Sequence, residues 1–283
     1  MNLEDLPEEP EERCPAERRE EEAAKVLERM WAHRSRRAFE EEDLPQKDLE
    51  DCVAAAQRAS TSSFLQPYSV VVVRDPERKR RVYELCSQQQ MILDAPVFLA
   101  LCVDFHRAEK ACRDQGKELA PIDLETLLIG CIDTSLFAQN LLLAAEAMGY
   151  GGCFVGAARN HPLELARVLG LPPKVFVLFG LVLGRPCDDP MPMPRLPLEA
   201  VLHREQYDLE SVSAHLDAFD AQMRAFARRL NRELQARGAK KVNEDRGFRD
   251  RLAFRLSTEK RPSPRDRIES CLKNMGFLAE GEG

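Results

Sequence analysis

The sequence predicts an α+β fold, a central and mostly antiparallel sheet packed by helices, and two observations carry that prediction. β-rich runs and helical periodicities follow one another with few regular strand-helix alternations, which argues against a doubly wound sheet. The segment from Asp123 to Met148 has helical length and is apolar around much of its circumference, so every side of it needs cover. At about 1.5 Å per residue it spans roughly 38 Å, and it belongs at the centre of the molecule, with a subunit interface as one way of covering it. A chain of 283 residues with 44% hydrophobic content supplies the core of one domain with extensions, or of a protomer completed by a partner.

The elements follow from local chemistry. Residues 1–22 are rich in Glu and Pro and nearly devoid of large apolar side chains, so nothing offsets the entropy of ordering them, and a disordered acidic tail is expected. From Ala23 a short helix is expected, with Val26, Leu27, Met30 and Trp31 at helical spacing. Pro45 opens a second helix, with Leu49, Cys52, Val53 and Ala56 on one face, that ends at a Ser/Thr loop beginning at Ser60. Val70–Val73 is a β-branched run stopped by Asp75-Pro76 and reads as a buried strand. A helix around Val82 and Leu85, a strand from Val97 to Val103 and a charged loop from His106 to Gly116 come next. After the long helix, Gly149, Gly151 and Gly152 lead into a strand at Cys153–Val155. A helix near Pro162 and a β-rich run from Lys174 to Leu183 follow. Five prolines between Pro186 and Pro197 make an extended connector. Leu209 to Ala236 returns to helical periodicity, and Arg237 to Arg251 reads as a basic loop.

Composition narrows the function. A formal charge of −7 and a pI near 5.5 argue against nucleic acid as a partner. The nine cysteines lack the paired spacing of a zinc site or redox motif, and read as reduced thiols of a cytoplasmic protein. His106, His161, His203 and His215 are isolated, so no metal site is expected. The N-terminus is acidic, unlike a secretory signal, and Asp133 and Glu146 interrupt the most apolar segment, so no membrane span is expected.

One stretch carries chemistry. His33-Arg34-Ser35-Arg36-Arg37 holds three guanidiniums, an imidazole and a hydroxyl, donors that fit the oxygens of a phosphate. A solvated face or the cationic end of a helix fits the same five residues. Three further stretches follow at a distance: Ser60 to Gln66, Gly151 to Gly156, and Pro194-Arg195-Leu196-Pro197.

Taken together and in this order, these stretches resemble the flavin-dependent nitroreductase family, in particular its NADPH-preferring, oxygen-insensitive branch, which includes flavin reductases. The likeness runs from about Leu27 to about Phe277 and is strongest between His33 and Tyr207. It implies a nitroreductase-like fold and a homodimer, with the long helix at the interface and FMN sites built between two chains. In that likeness Arg34 and Arg195 grip the FMN phosphate, and His33 and Ser35 assist around the phosphate and ribityl chain. Arg37 lies near the flavin pyrimidine edge, where a guanidinium favours the charge that develops on reduction. Ser62, Ser63, Gln66 and Gln89 supply hydroxyl and amide partners, and the Val155-Gly156-Ala157 backbone approaches N5 or O4. Arg237 and Lys240 hold the 2′-phosphate of NADPH.

The implied activity is ping-pong transfer from NADPH through FMN to nitroaromatic, quinone or flavin acceptors, with no protein acid or nucleophile required. A dedicated NADPH-flavin reductase and a non-catalytic flavin-binding protein are the alternatives. The implied organisation is an acidic tail (1–22), an FMN-binding core (23–207) and a helical extension with a basic loop (208–283). The sequence departs from the family at Met193, where a Lys is usual, so either Arg34 and Arg195 suffice or Arg159 or another cation takes its place. It departs again after Arg261-Pro262, where Ser263 and Pro264 stand in place of an aromatic.

Overall fold

A computed structural model describes residues 16–259 and 262–278. The first helix, α1 (Ala16–Trp31), begins inside the stretch that composition assigns to a disordered tail. Its Ala, Glu and Arg content favours helix, and Lys25 pairs with Glu21 at 2.6 Å across one turn. Residues 1–15 of the expected tail lie outside the described residues.

Helix α2 (Gln46–Ala56) starts directly after Pro45 and buries Leu49, Cys52 and Ala56. Strand β1 (Tyr68–Val73) differs from the fully buried strand expected, because it forms an edge of the sheet and exposes Val72. The Asp75 carboxylate caps α3 (Pro76–Leu85) by accepting from the Arg78 amide at 2.8 Å, an orphan donor of the first turn. A short helix α4 (Met91–Asp94) leads into β2 (Val97–Asp104), in which every residue is buried.

The charged stretch expected as a loop after β2 is instead helix α5 (His106–Asp114). Its support is electrostatic: Lys110 pairs with Asp114 at 2.6 Å, and Lys174 reaches Glu109 at 2.8 Å. Helix α6 (Leu124–Ala147) has Asp123 as its N-cap, with the carboxylate 2.8 Å from the Thr126 amide. By length and composition α6 could cross a membrane; here one side of it packs on the sheet through Phe137, Ala138, Leu141 and Leu142. Strand β3 (Gly151–Val155), helix α7 (Pro162–Leu169) and strand β4 (Val175–Gly184) complete the core. Gly170, at φ 65°, ends α7 in the left-handed conformation that glycine adopts without steric cost.

The sheet order is β1-β2-β4-β3 and every neighbouring pair is antiparallel. Central strands β2 and β4 are covered on both faces. Leu99, Leu101, Leu181 and Leu183 pack with Leu49, Cys52 and the inner face of α6. Phe98, Cys102 and Val182 pack on the other side with Val82, Ile92 and Leu165. Three layers result, helix on sheet on helix.

Beyond the proline-rich connector, α8 (Val212–Ala236) carries two buried polar side chains that organise the C-terminal part of the chain. Asn231 exchanges hydrogen bonds with the Val242 backbone at 2.8 and 2.9 Å. Asp220 accepts from the amides of Phe248 and Arg249 and from the Arg249 guanidinium. These contacts set up helix α9 (Phe248–Leu256), so the region expected as a basic loop to Arg251 ends in a helix. Helix α10 (Ile268–Asn274) returns the chain to the core, where Phe277 is fully buried against Phe105 and Phe176.

Candidate functional site

The basic cluster leaves the end of α1 and runs beside β3, where the Arg36 amide donates to the Gly152 carbonyl at 2.9 Å. A Cβ on Gly151 would stand 2.6 Å from Arg36 Cγ, so glycine is what lets the cluster lie this close to the strand. From here Arg36 separates in role from its neighbours. Arg36 turns into the protein, bonding the Asp188 carbonyl and reaching Asp189 at 3.0 Å. His33, Arg34, Ser35 and Arg37 line a pocket of about 350 Å³ together with Asp189, Met193, Arg195 and Arg237.

The geometry of that pocket fits a phosphate. Arg34 Nε is buried with no hydrogen-bond partner, a costly state for a charged donor, while Arg34 Nη1 donates to the Ala32 carbonyl at 2.9 Å. Among the described residues Arg195 is tethered to the Met193 and Pro194 carbonyls alone, while the Arg37 side chain donates to the Ser35 carbonyl and lies against the Cys153 thiol. His33 Nδ1 is fixed by Glu146 of α6 at 2.6 Å. Burial pushes the Cys153 thiol up, with Arg37 and Ser35 beside it acting in the opposite direction.

Strand β3 carries the backbone from this cluster to Val155-Gly156-Ala157. A Cβ on Gly156 would meet nothing closer than 3.7 Å, ordinary van der Waals contact; Gly156 is half-buried, and Val155 and Ala157 beside it are buried. The atoms nearest to it are the guanidiniums of Arg159 and Arg265. Arg159 therefore does not stand in for the lysine that Met193 replaces: it bonds the Leu178 carbonyl at the far end of β3 from the phosphate pocket. Burial, and then Arg265 beside it, lowers its pKa. Arg265 is held by Asn160 Oδ1 at 2.9 Å, and Asn160 by Ser87 at 2.7 Å, next to the turn that carries Gln89. Arg265 has no counterpart among the residues the sequence singles out. Its only signal there is that it follows the altered motif at Pro262-Ser263-Pro264; Arg261 itself lies outside the described residues.

Ser62, Ser63 and Gln66 are not in the phosphate pocket. Their loop is anchored to the middle of α6, where the fully buried Asp133 carboxylate accepts from the Ser62 amide at 3.1 Å. Ser63, Phe64 and Gln66 hold φ between 49° and 57°, a left-handed backbone rare for non-glycine residues. Phe64 and Leu65 project into solvent. Ser87 and Gln88, before Gln89, share this left-handed backbone. Such local strain gathers at binding sites. Of the two residues expected at the NADPH 2′-phosphate, Arg237 lines the phosphate pocket and Lys240 is exposed outside it.

Residues 31–185 match the Nitroreductase family, and residues 193–280 match its C-terminal domain. An FMN reductase [NAD(P)H] of Bacillus subtilis is 39% identical over 201 residues, 70% of this chain and 81% of that protein. An oxygen-insensitive NADPH nitroreductase of Salmonella typhimurium is 39% identical over 182 residues, 64% of this chain and 74% of its own length. The solved structure of B. megaterium NfrA1 superposes with a TM-score of 0.81 at 32% identity, covering 90% of this chain and 100% of that one.

Proposed function

We propose, for a chain that belongs to the nitroreductase family, an FMN-dependent oxidoreductase that draws on NADPH and passes two electrons to nitroaromatic, quinone or flavin acceptors. The observation that carries this reading is the pocket that gathers His33, Arg34, Ser35, Arg37 and Arg195 around a buried guanidinium nitrogen with no hydrogen-bond partner. FMN, when bound, supplies the two-electron chemistry, and the protein supplies binding, orientation and electrostatics.

In this reading Arg34 and Arg195 hold the phosphate, His33 is oriented for it by Glu146, and Arg37 lies against the pyrimidine edge. The Val155-Gly156-Ala157 backbone meets the ring, and Ser62, Ser63, Gln66 and Gln89 supply further polar contacts. Arg159 and Arg265 have no carboxylate partner among the described residues, and they present positive charge where donor and acceptor alternate. Arg237 and Lys240 face the 2′-phosphate of NADPH. The flavin-binding core extends to residue 207 and the helical extension begins at 208, whereas the two family matches meet between 185 and 193.

A homodimer belongs to the same reading. Ser62 is tied to Asp133 and His33 to Glu146, positions about 20 Å apart along one helix, so two copies running past each other bring both groups to one flavin. Leu124, Leu128, Ile132 and Leu136 support this, since they form a four-residue-spaced stripe on α6 that the single chain leaves exposed. A cytoplasmic location fits the eight free cysteines among the described residues.

The test is the absorbance spectrum of the purified protein with FMN, before and after anaerobic NADPH. Flavin bands that co-purify and bleach with NADPH are expected. A protein that binds no flavin, or bound flavin that NADPH leaves unbleached, overturns the reading.

A further inference from the structure

The connector after β4 sets two successive carboxylates against the basic cluster, and they do different things. Asp188 belongs to the backbone framework: its Oδ2 accepts from the Arg37 amide at 3.1 Å, and its carbonyl accepts from Arg36. Asp189 instead lines the phosphate pocket. Its Oδ1 accepts from Arg36 Nη1 at 3.0 Å and stands 3.7 Å from Arg34 Nε, the buried nitrogen with no hydrogen-bond partner. The pocket's cations are Arg34, Arg37, Arg195 and Arg237, and its anions are Asp189 and Glu233, while Met193 brings no charge.

A phosphomonoester of about −1.5 to −2 charge must share Arg34 with a carboxylate already in range of it. Like charges at such separations repel, and solvent moderates the effect. We infer that Asp189 is a built-in competitor for the cofactor phosphate, so that FMN is held loosely and exchanges with free FMN. This rests on the flavin reading above and sharpens it, because a flavin that leaves readily makes free flavin an acceptor and product in its own right.

The expected effect is modest. The Asp189 side chain is 80% exposed, and exposed charge pairs contribute little apiece, so removing this charge should tighten FMN binding about 2- to 5-fold. The experiment titrates the full chain with FMN and, separately, with riboflavin, which lacks the phosphate, following flavin fluorescence at low and high salt. Asp189→Asn keeps the shape of the side chain and removes its charge; Asp189→Glu keeps the charge.

The inference requires Asp189→Asn to lower the FMN Kd by that factor at low salt, to lose most of the gain at high salt, and to leave riboflavin unchanged, with Asp189→Glu no tighter than the unsubstituted chain. An unchanged FMN Kd, or equal tightening for both flavins, overturns it and leaves the flavin reading standing. A chain that binds neither flavin in any variant overturns both.

Discussion

The exposed stripe on α6 gives the sharpest test of the two-chain site. Ile132 is 55% exposed and sits between Leu128 at 46% and Leu136 at 44%, with Leu124 at 63% one turn further. Full burial of such a side chain contributes about 1.5–3 kcal/mol, so covering the remaining half contributes about 0.7–1.5 kcal/mol. In a twofold interface each residue counts twice. Ile132→Glu therefore removes about 1.5–3 kcal/mol of apolar contact per dimer and also places two carboxylates in a dehydrated seam. Together these should weaken association by at least about 100-fold, equivalent to about 2.7 kcal/mol. Because Ile132 faces outward, the protomer should keep its fold. Sedimentation velocity across a concentration series would measure association, circular dichroism would check the fold, and flavin fluorescence would follow FMN. The expected result is a dimer for the unsubstituted chain and a folded monomer for the variant, with FMN affinity falling as dimerisation falls. An unsubstituted chain that is monomeric yet holds FMN, or a variant that dimerises normally, would refute the reasoning.

The two phosphate arginines should not behave alike. Arg34→Ala removes a half-buried guanidinium, a loss of about 2–5 kcal/mol or roughly 30- to several thousand-fold in FMN Kd. The exposed Arg195 should cost no more than about tenfold, as isothermal titration would report. Asp220→Ala leaves the partly buried amides of Phe248 and Arg249 without their acceptor, so unfolding of the C-terminal region should become easier by about 2–4 kcal/mol in denaturant melts. Burial pushes the Asp220 carboxyl up, but its hydrogen bonds to Arg249 and Phe248 prevail and hold it below the usual carboxylate range. Its contribution is thus fully present above the unfolded value of about 3.9 and is lost as pH falls through the lower folded value; the deficit of Asp220→Asn should be full near neutral pH and shrink in acid melts, and a deficit that does not change with pH would contradict this. Burial raises the Cys86 and Cys102 thiols to about 12, whereas Cys187 is exposed. Thiol reagents at neutral pH should label Cys187 early and the other two only on unfolding; prompt native labelling of Cys102 would place it elsewhere.

How far the sequence could be read depended on where each element gets its support. Helix α6 was legible almost to the residue, because Asp123 caps it, Gly149 follows it and its apolar content is continuous. Helix α5 was not, since its inner face offers only small side chains such as Ala108, and the Lys110–Asp114 and Lys174–Glu109 ion pairs that support it are properties of the folded chain. Helix α9 was hidden for a related reason: Asp220 organises its start from 28 residues away. In the site, the basic cluster could be found as a local motif. Its partition could not, because whether Arg34 or Arg36 faces the pocket depends on the pairing with Gly152, and the role of Asp189 depends on a connector with no secondary structure. The division of the polar residues between the middle and the C-terminal end of α6 is likewise a property of the folded helix, invisible to motif spacing.

That division has a consequence in genetics. If the guanidinium end of one subunit serves the same flavin as the Ser62 loop of the other, two different defects can cure each other. A subunit altered at Arg34 and a subunit altered in the Ser62 loop each form dimers with two broken sites. Their mixed dimer concentrates both lesions in one site and leaves the other intact. Co-expressing the two alleles should restore up to half of the activity in that hybrid, whereas a site contained within each chain would restore none.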